Sequence, residues 1–205
     1  MNVKVKLCGM FRDCDIDYVN EAMPDYVGFI VMFPKSHRNI DLETAMRLKK
    51  RLSPSIKSVA VSVNAPVEKF AKFAQSGVAD LLQLHGNENA EYIAELRRLT
   101  DVPLIKAVKV TNPDDIIKAQ ELDVDFLLLD SGTGSGLAFD HSLIDRKRIT
   151  KPFFLAGGLT PENVREAALR VEPYGVDISS GIETNKVKDR EKMLAAVNAI
   201  RDLRQ

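Results

Sequence analysis

Cysteine is scarce in this chain and the two signs of charge cancel, and each shortage removes a class of protein. Two cysteines, Cys8 and Cys14, are too few for a disulfide framework or, on their own, for a zinc site. One stands at an expected strand end and the other enters a helix, so chance proximity explains the pair better than a bridge. Acidic and basic residues number 29 each, which leaves no basic footprint for nucleic acid and no polybasic patch for a membrane. No apolar run is long enough to span a bilayer, and the opening Met1-Asn2-Val3-Lys4-Val5-Lys6 lacks the apolar core of a signal peptide. A cytoplasmic protein is the expectation. No group of His, Cys, Asp or Glu has metal-ligand spacing, and no nucleotide fingerprint is present. Tryptophan is missing altogether, which decides nothing about function.

What is there is a rhythm. With 205 residues, no linker and no low-complexity stretch, one domain over 1–205 is expected. Strand-like runs at 3–7, 26–31, 58–63, 80–85, 103–108 and 125–130 are followed by two more, opening at Phe153 and Tyr174. Between them lie helical patterns at 13–22, from Asp41 to Leu48, from near Pro66, at 90–99, from Thr111-Asn112-Pro113, and at 189–203. The sixth unit is the weakest, because 139–149 offers only a short helix. Eight strands alternating with helices point to an α/β fold, a closed (β/α)₈ barrel rather than an open doubly wound sheet. About 25 residues per unit is lean but within the observed range.

The stretch from Phe153 through Leu155-Ala156-Gly157-Gly158-Leu159-Thr160-Pro161-Glu162 reads as a buried strand, a glycine break and a helix start. Thr160 is the expected N-cap, with Pro161 at the first helical position. Glycines and helix-terminal amides together suit an oxyanion. Tyr174-Gly175-Val176-Asp177-Ile178-Ser179-Ser180-Gly181 repeats the pattern. Two adjacent strand ends of this kind would share one phosphate, as after the last two strands of many barrels. Read singly, the glycine pair is as readily a tight turn.

In a barrel, polar residues at strand ends share the catalytic face. They are Cys8, the Lys35-Ser36-His37-Arg38 loop, Asn64, Gln83 with His85, Lys106, Asp130, Gly157-Gly158, and Asp177 with Ser179-Ser180. These parts suit a cofactor-free acid/base reaction on a phosphorylated small molecule. From position alone Cys8 is read first as a small core filler, although a thiolate near positive charge is a competent base. Asp130 closes a run of apolar residues, where a carboxylate is costly unless used or paired. Arg38 has the fork that binds a carboxylate.

Six segments, taken together, carry a family likeness. Lys6-Leu7-Cys8-Gly9, Gly28-Phe29-Ile30 with Ser36-His37-Arg38, and Gln83-Leu84-His85-Gly86 are three. Leu129-Asp130 with Gly134-Ser135-Gly136 and Phe139-Asp140, Leu155-Ala156-Gly157-Gly158-Leu159, and Val176-Asp177-Ile178-Ser179-Ser180-Gly181-Ile182-Glu183 are the others. In this order they resemble the phosphoribosylanthranilate isomerases of tryptophan biosynthesis. The resemblance implies a (β/α)₈ barrel that converts N-(5-phosphoribosyl)anthranilate, an aminoaldose, to 1-(2-carboxyphenylamino)-1-deoxyribulose 5-phosphate by an Amadori rearrangement. It implies Asp130 as general acid and Cys8 as general base. By the same resemblance Arg38, His85, Ser135, Gly136, Gly157, Gly158, Asp177, Ser179, Ser180 and Gly181 are expected to bind substrate, with no cofactor and no metal. Monomer and homodimer both stay open.

The chain departs from the family pattern at three places. His37 stands where proline usually precedes the loop arginine, so a looser loop is expected; Phe11 replaces a threonine, and His141 a tryptophan. Among rivals, the sugar isomerase of histidine biosynthesis resembles fused half-barrels with paired aspartates, whereas here the first strand ends in Cys8. An indole-forming barrel would carry a lysine acid and a glutamate base, and Lys106 lacks that partnering pattern. A non-catalytic phosphosugar-binding barrel would leave Cys8, Asp130 and Arg38 without a use.

Overall fold

The apolar runs become eight short parallel strands in a computed structural model that describes residues 2–130 and 143–203. They are β1 (Lys4–Cys8), β2 (Tyr26–Ile30), β3 (Lys57–Ser62), β4 (Leu81–Leu84), β5 (Leu104–Lys109), β6 (Phe126–Asp130), β7 (Phe153–Leu155) and β8 (Gly175–Ile178). Each pairs with the next and β8 closes on β1, so the sheet is a complete barrel without a free edge. Around it lie α1 (Asp13–Ala22), α2 (Leu42–Arg51), α3 (Val67–Gln75), α4 (Ala90–Leu99), α5 (Pro113–Ala119), α6 (Val164–Val171) and α7 (Arg190–Arg201). Between β6 and β7 the described residues include a 3₁₀ turn, Arg146–Arg148, and part of the expected helix over 139–149 lies outside the described residues. Among the described residues, no helix is long and apolar enough to cross a membrane.

Strand alternation sorts the side chains into two cores. Val5, Leu7, Val27, Phe29 and Leu82 face outward and pack against the helices. Tyr26, Val59, Leu81, Ile105, Leu128 and Phe154 face inward. At the N-terminal end of the strands, Phe154 meets Tyr26, Tyr174 and Phe126 at ring-centroid distances of 5.5, 5.3 and 5.8 Å. Burying such a ring fully stabilises by about 1.5–3 kcal/mol. The Tyr26 and Tyr174 hydroxyls, 2.7 Å apart, satisfy each other inside this plug. The barrel is filled at that end and opens at the other.

Short polar side chains start the helices. Asp41, Asn89, Asn112 and Asp189 each accept a hydrogen bond from a first-turn amide. Asn112, within the expected Thr111-Asn112-Pro113 start, caps α5, but one expected start shifts. Thr160 does not cap α6, which begins at Val164 with Asn163 in the cap position. The reason is local: Asn163 Oδ1 accepts from Thr160 N at 2.8 Å and its Nδ2 donates to Gly158 O at 3.0 Å. That side chain closes a turn over 160–163 before the helix can start, and it ties the turn to the glycine pair.

After β8 the chain makes a 3₁₀ turn, Ser180–Ile182, and then a ribbon of β9 (Glu183–Thr184) and β10 (Val187–Lys188). Gly181 lets the turn lie on the β7 loop, for a Cβ there would stand 1.9 Å from Leu159 O. Gly181→Ala is therefore expected to cost about 1–3 kcal/mol through overpacking against backbone. Thermal melting followed by circular dichroism checks this, at about 2–4 °C per kcal/mol for a chain of this size. An unchanged midpoint would show that the two loops move apart freely.

Candidate active site

The C-terminal ends of the strands surround a cavity of about 450 Å³. Cys8, Arg38, His85 and Asp130 line it together with Gly157, Gly158, Asp177, Ser179 and Ser180. Sequence reasoning named all nine. Gly181 does not line it, and its turn lies against Leu159 of the β7 loop. Ser135, Gly136 and the segment carrying Phe139, Asp140 and His141 lie outside the described residues.

Cys8 ends β1, and the chain then turns through Gly9, whose φ of +84° is a glycine conformation. Both Gly9 N and Met10 N donate to Gly28 O, which fixes the turn. Gly28 is also the strand partner of Cys8, and a Cβ on it would stand 2.6 Å from the thiol sulfur. The absent side chain is thus the space that Sγ occupies. Beyond the turn, buried Asp15 accepts from Phe11 N and Arg12 N and pairs with the Arg12 guanidinium, so the loop is braced to α1. Burial pushes the Cys8 thiol up from its ordinary range; the Lys6 and Lys188 ammonium groups pull against it, and Asp177 adds to it. Both cysteines are free thiols.

Asp130 ends β6, three strands from β1 around the barrel. His85 Nε2 lies 3.8 Å from its Oδ2, and His85 Nδ1 lies 2.8 Å from Gln83 Nε2. Burial holds the imidazole pKa below its ordinary value, against the pull of Asp130. His85 is therefore neutral near pH 7. It turns Nε2 toward Asp130 while Gln83 holds its other nitrogen.

Arg38 is fixed by a residue to which the sequence reading gave no role. Its Nε and Nη2 donate to Glu183 Oε1 and Oε2 at 2.5 and 2.6 Å. Lys188 Nζ lies 2.7 Å from Glu183 and donates to Ser179 O at 2.9 Å. Burial alone would raise the Glu183 carboxyl; the bonds from Arg38 and Lys188 outweigh it and bring it down to about 2. The loop that carries His37 makes contacts of its own at the rim. His37 Nε2 lies 3.1 Å from Lys186 O, and its ring meets Phe11 edge-on at 6.1 Å. Two of the departures from the family pattern thus meet in space and join three rim loops.

Other rim residues serve the scaffold. Lys106 donates to Gly86 O at 2.6 Å and pairs with Glu88 at 3.0 Å, so it is no free cation. Glu88 also accepts from Asn64 N and Gly86 N, while Asn64 Oδ1 accepts from Asn87 N. This cluster fastens the loops after β3 and β4 to Lys106, which lies within β5 rather than at its end, and leaves the cavity to the residues above. Among the described residues, no group of His, Cys, Asp and Glu is placed to hold a metal ion.

A closed barrel of eight parallel strands, with a thiol, a carboxylate and an arginine around one mouth, defines a (β/α)₈-barrel enzyme. The pattern of the N-(5′-phosphoribosyl)anthranilate (PRA) isomerase family matches residues 5–199, and the chain belongs to that family. It is 41% identical to the N-(5′-phosphoribosyl)anthranilate isomerase of Endomicrobium trichonymphae, over 98% of this chain and 99% of that one. The enzyme of Thermoanaerobacter sp. (strain X514) is also 41% identical, over 98% of this chain and 100% of its own length. Among solved structures, the Thermotoga maritima isomerase superposes with a TM-score of 0.86 at 36% identity, covering 98% of this chain and 99% of that chain. A second isomerase structure, in complex with reduced 1-(o-carboxyphenylamino)-1-deoxyribulose 5-phosphate, gives a TM-score of 0.84 at 35% identity, covering 98% and 99%. Another structure is described as mutually generated monomers of the dimeric T. maritima isomerase.

Proposed function

We propose that this chain isomerises N-(5′-phosphoribosyl)anthranilate by general acid/base catalysis, with Asp130 as the acid and Cys8 as the base. The carrying observation is one cavity that both groups line, with the Gly157-Gly158 and Ser179-Ser180 loops on its wall. The reaction itself is that of the family, a step of tryptophan biosynthesis. The solved relative with a reduced carboxyphenylamino deoxyribulose phosphate supports a phosphorylated small molecule as ligand.

The residues supply the steps as follows. Asp130 gives its proton to the furanose ring oxygen, and the C1–O bond breaks with the nitrogen lone pair forming a protonated Schiff base. That iminium withdraws electrons from C2, so its C–H becomes acidic enough for a thiolate to remove without a metal. Cys8 takes the C2 proton, and the electron pair moves to give the enolamine. Ketonisation, which returns a proton to C1, completes the aminoketose. Neutral His85 would direct its Nε2 at Asp130 and keep the acid in place. The phosphate would rest on the backbone amides and hydroxyls at the ends of β7 and β8. Gly157 and Gly158, at φ of +92° and +66°, give that loop a left-handed path which side chains disfavour.

Arg38 would hold the anthranilate carboxylate. Glu183 occupies its Nε–Nη2 edge, which leaves the Nη1–Nη2 end of the planar fork for a second bidentate pair. Glu183→Gln keeps one acceptor but removes the charge that orients the fork. KM is expected to rise by about tenfold, equivalent to about 1.4 kcal/mol, with kcat changed less. Steady-state rates at neutral pH read this, and a fall in kcat at constant KM would place Glu183 in the chemistry instead. The test of the whole reading is turnover of freshly generated phosphoribosylanthranilate, followed by loss of anthranilate-type fluorescence. An inert wild type that still binds a phosphosugar would overturn it.

A further inference from the structure

Lys6 is fully buried inside the barrel, where an ammonium ion is costly unless paired. Its Nζ lies 2.8 Å from Asp177 Oδ1, and the β1–β8 register sets the two residues side by side. Lys6 and Cys8 alternate along β1, so both project to the interior, with the lysine one layer below the thiol. The proposed chemistry uses neither charge. A buried ion pair of this kind commonly stabilises no better than apolar residues of the same shape, so stability alone does not account for it.

We propose that Lys6 and Asp177 are positioning residues that set how readily Cys8 becomes a thiolate, Lys6 supplying the cation against which it forms and Asp177 limiting that cation. The inference rests on Cys8 as the base and goes beyond it by assigning what controls its charge. The charged groups around Cys8 come from every side: Lys6 on β1, Asp177 on β8, Lys188 on β10 and Arg38 after β2, with His85 and Asp130 across the cavity. Lys188 and Arg38 are both engaged by Glu183, which already offsets them. Lys6, on the same strand as the thiol, favours its ionisation, as does Lys188, while Asp177 opposes it. Burial works against the Lys6 cation, and the carboxylate of Asp177 at 2.8 Å holds it charged.

The test is the pH dependence of Cys8 alkylation by iodoacetamide, read by mass spectrometry in a Cys14→Ala background. Three variants are compared with it: Lys6→Met, Asp177→Asn and the neutral pair Lys6→Met/Asp177→Asn. The alkylation midpoint is expected to rise by about one pH unit or more in Lys6→Met and to fall in Asp177→Asn. The neutral pair is expected to lie between them. Midpoints that stay put, or that move the same way in both single variants, overturn the proposal, since a merely structural pair has no reason to shift them oppositely. If Lys6→Met does not fold, Asp177→Asn decides: no fall in its midpoint overturns the proposal. The readout does not depend on turnover. Opposite shifts in alkylation that the pH profile of kcat/KM does not follow would support the charge pair and remove Cys8 as base.

Discussion

Cys8→Ser is expected to lower kcat/KM by about 10²–10⁴-fold, the range for removing a general base. Serine fits the same space, because Gly28 leaves room for Sγ and the turn after it is held by backbone bonds to Gly28 O. What changes is acidity. A hydroxyl does not ionise in the range where a thiol does, so no base faces C2 of the Schiff base. The wild type also has a defined pH dependence. Because burial leaves the free thiol pushed up, despite Lys6 and Lys188, Cys8 is largely protonated at neutral pH. As the base must be ionised, kcat/KM is expected to rise with pH on the alkaline side of neutrality and to level off once the thiolate dominates. Initial rates across that range, with circular dichroism to confirm the fold, check both statements. A serine variant within a few fold of the wild type would put the base elsewhere.

The barrel was legible because eight apolar runs of strand length recur between helical patterns, and because strand ends in such a fold gather on one face. The cavity followed from that topology, and its polar lining residues were legible as strand-end groups. What escaped was set by side chains reaching across elements. Thr160 followed by proline has every mark of an N-cap, yet Asn163 bonds back to Thr160 N and Gly158 O and delays the helix. The β9–β10 ribbon is only two residues a side and turns at Asn185 and Lys186, both with positive φ; asparagine was its one turn signal. Through that ribbon Glu183 and Lys188 reach the rim and engage Arg38, a contact between residues 145 apart in the chain. Lys106 and Asn64 were visible as polar strand ends, but only contacts with Glu88 and Asn87 show them to be loop fasteners. Lys6 did leave a trace: it is a charged residue at an inward position of a strand, two before the thiol.

Asp130→Asn is the second large effect, an expected loss of about 10²–10⁴-fold in kcat. The amide matches the carboxyl in shape, so the cavity wall and the approach of His85, whose Nε2 stands 3.8 Å from Oδ2, are retained. An amide cannot deliver a proton to the ring oxygen, and the furanose then opens only by the unassisted route. Binding should survive: the reduced product analogue seen with a related isomerase has no ring to open, and its affinity is expected to stay within a few fold. The two variants also differ in which step they slow. With substrate deuterated at C2, Cys8→Ser is expected to show a primary isotope effect on kcat, because removal of that proton limits its rate. In Asp130→Asn the effect is expected to vanish, since ring opening precedes any cleavage of the C2 bond. An isotope effect that persists undiminished in Asp130→Asn would mean the carboxyl acts after ring opening. A rise in KM at constant kcat would make Asp130 a binding group and leave the acid to be found among its neighbours.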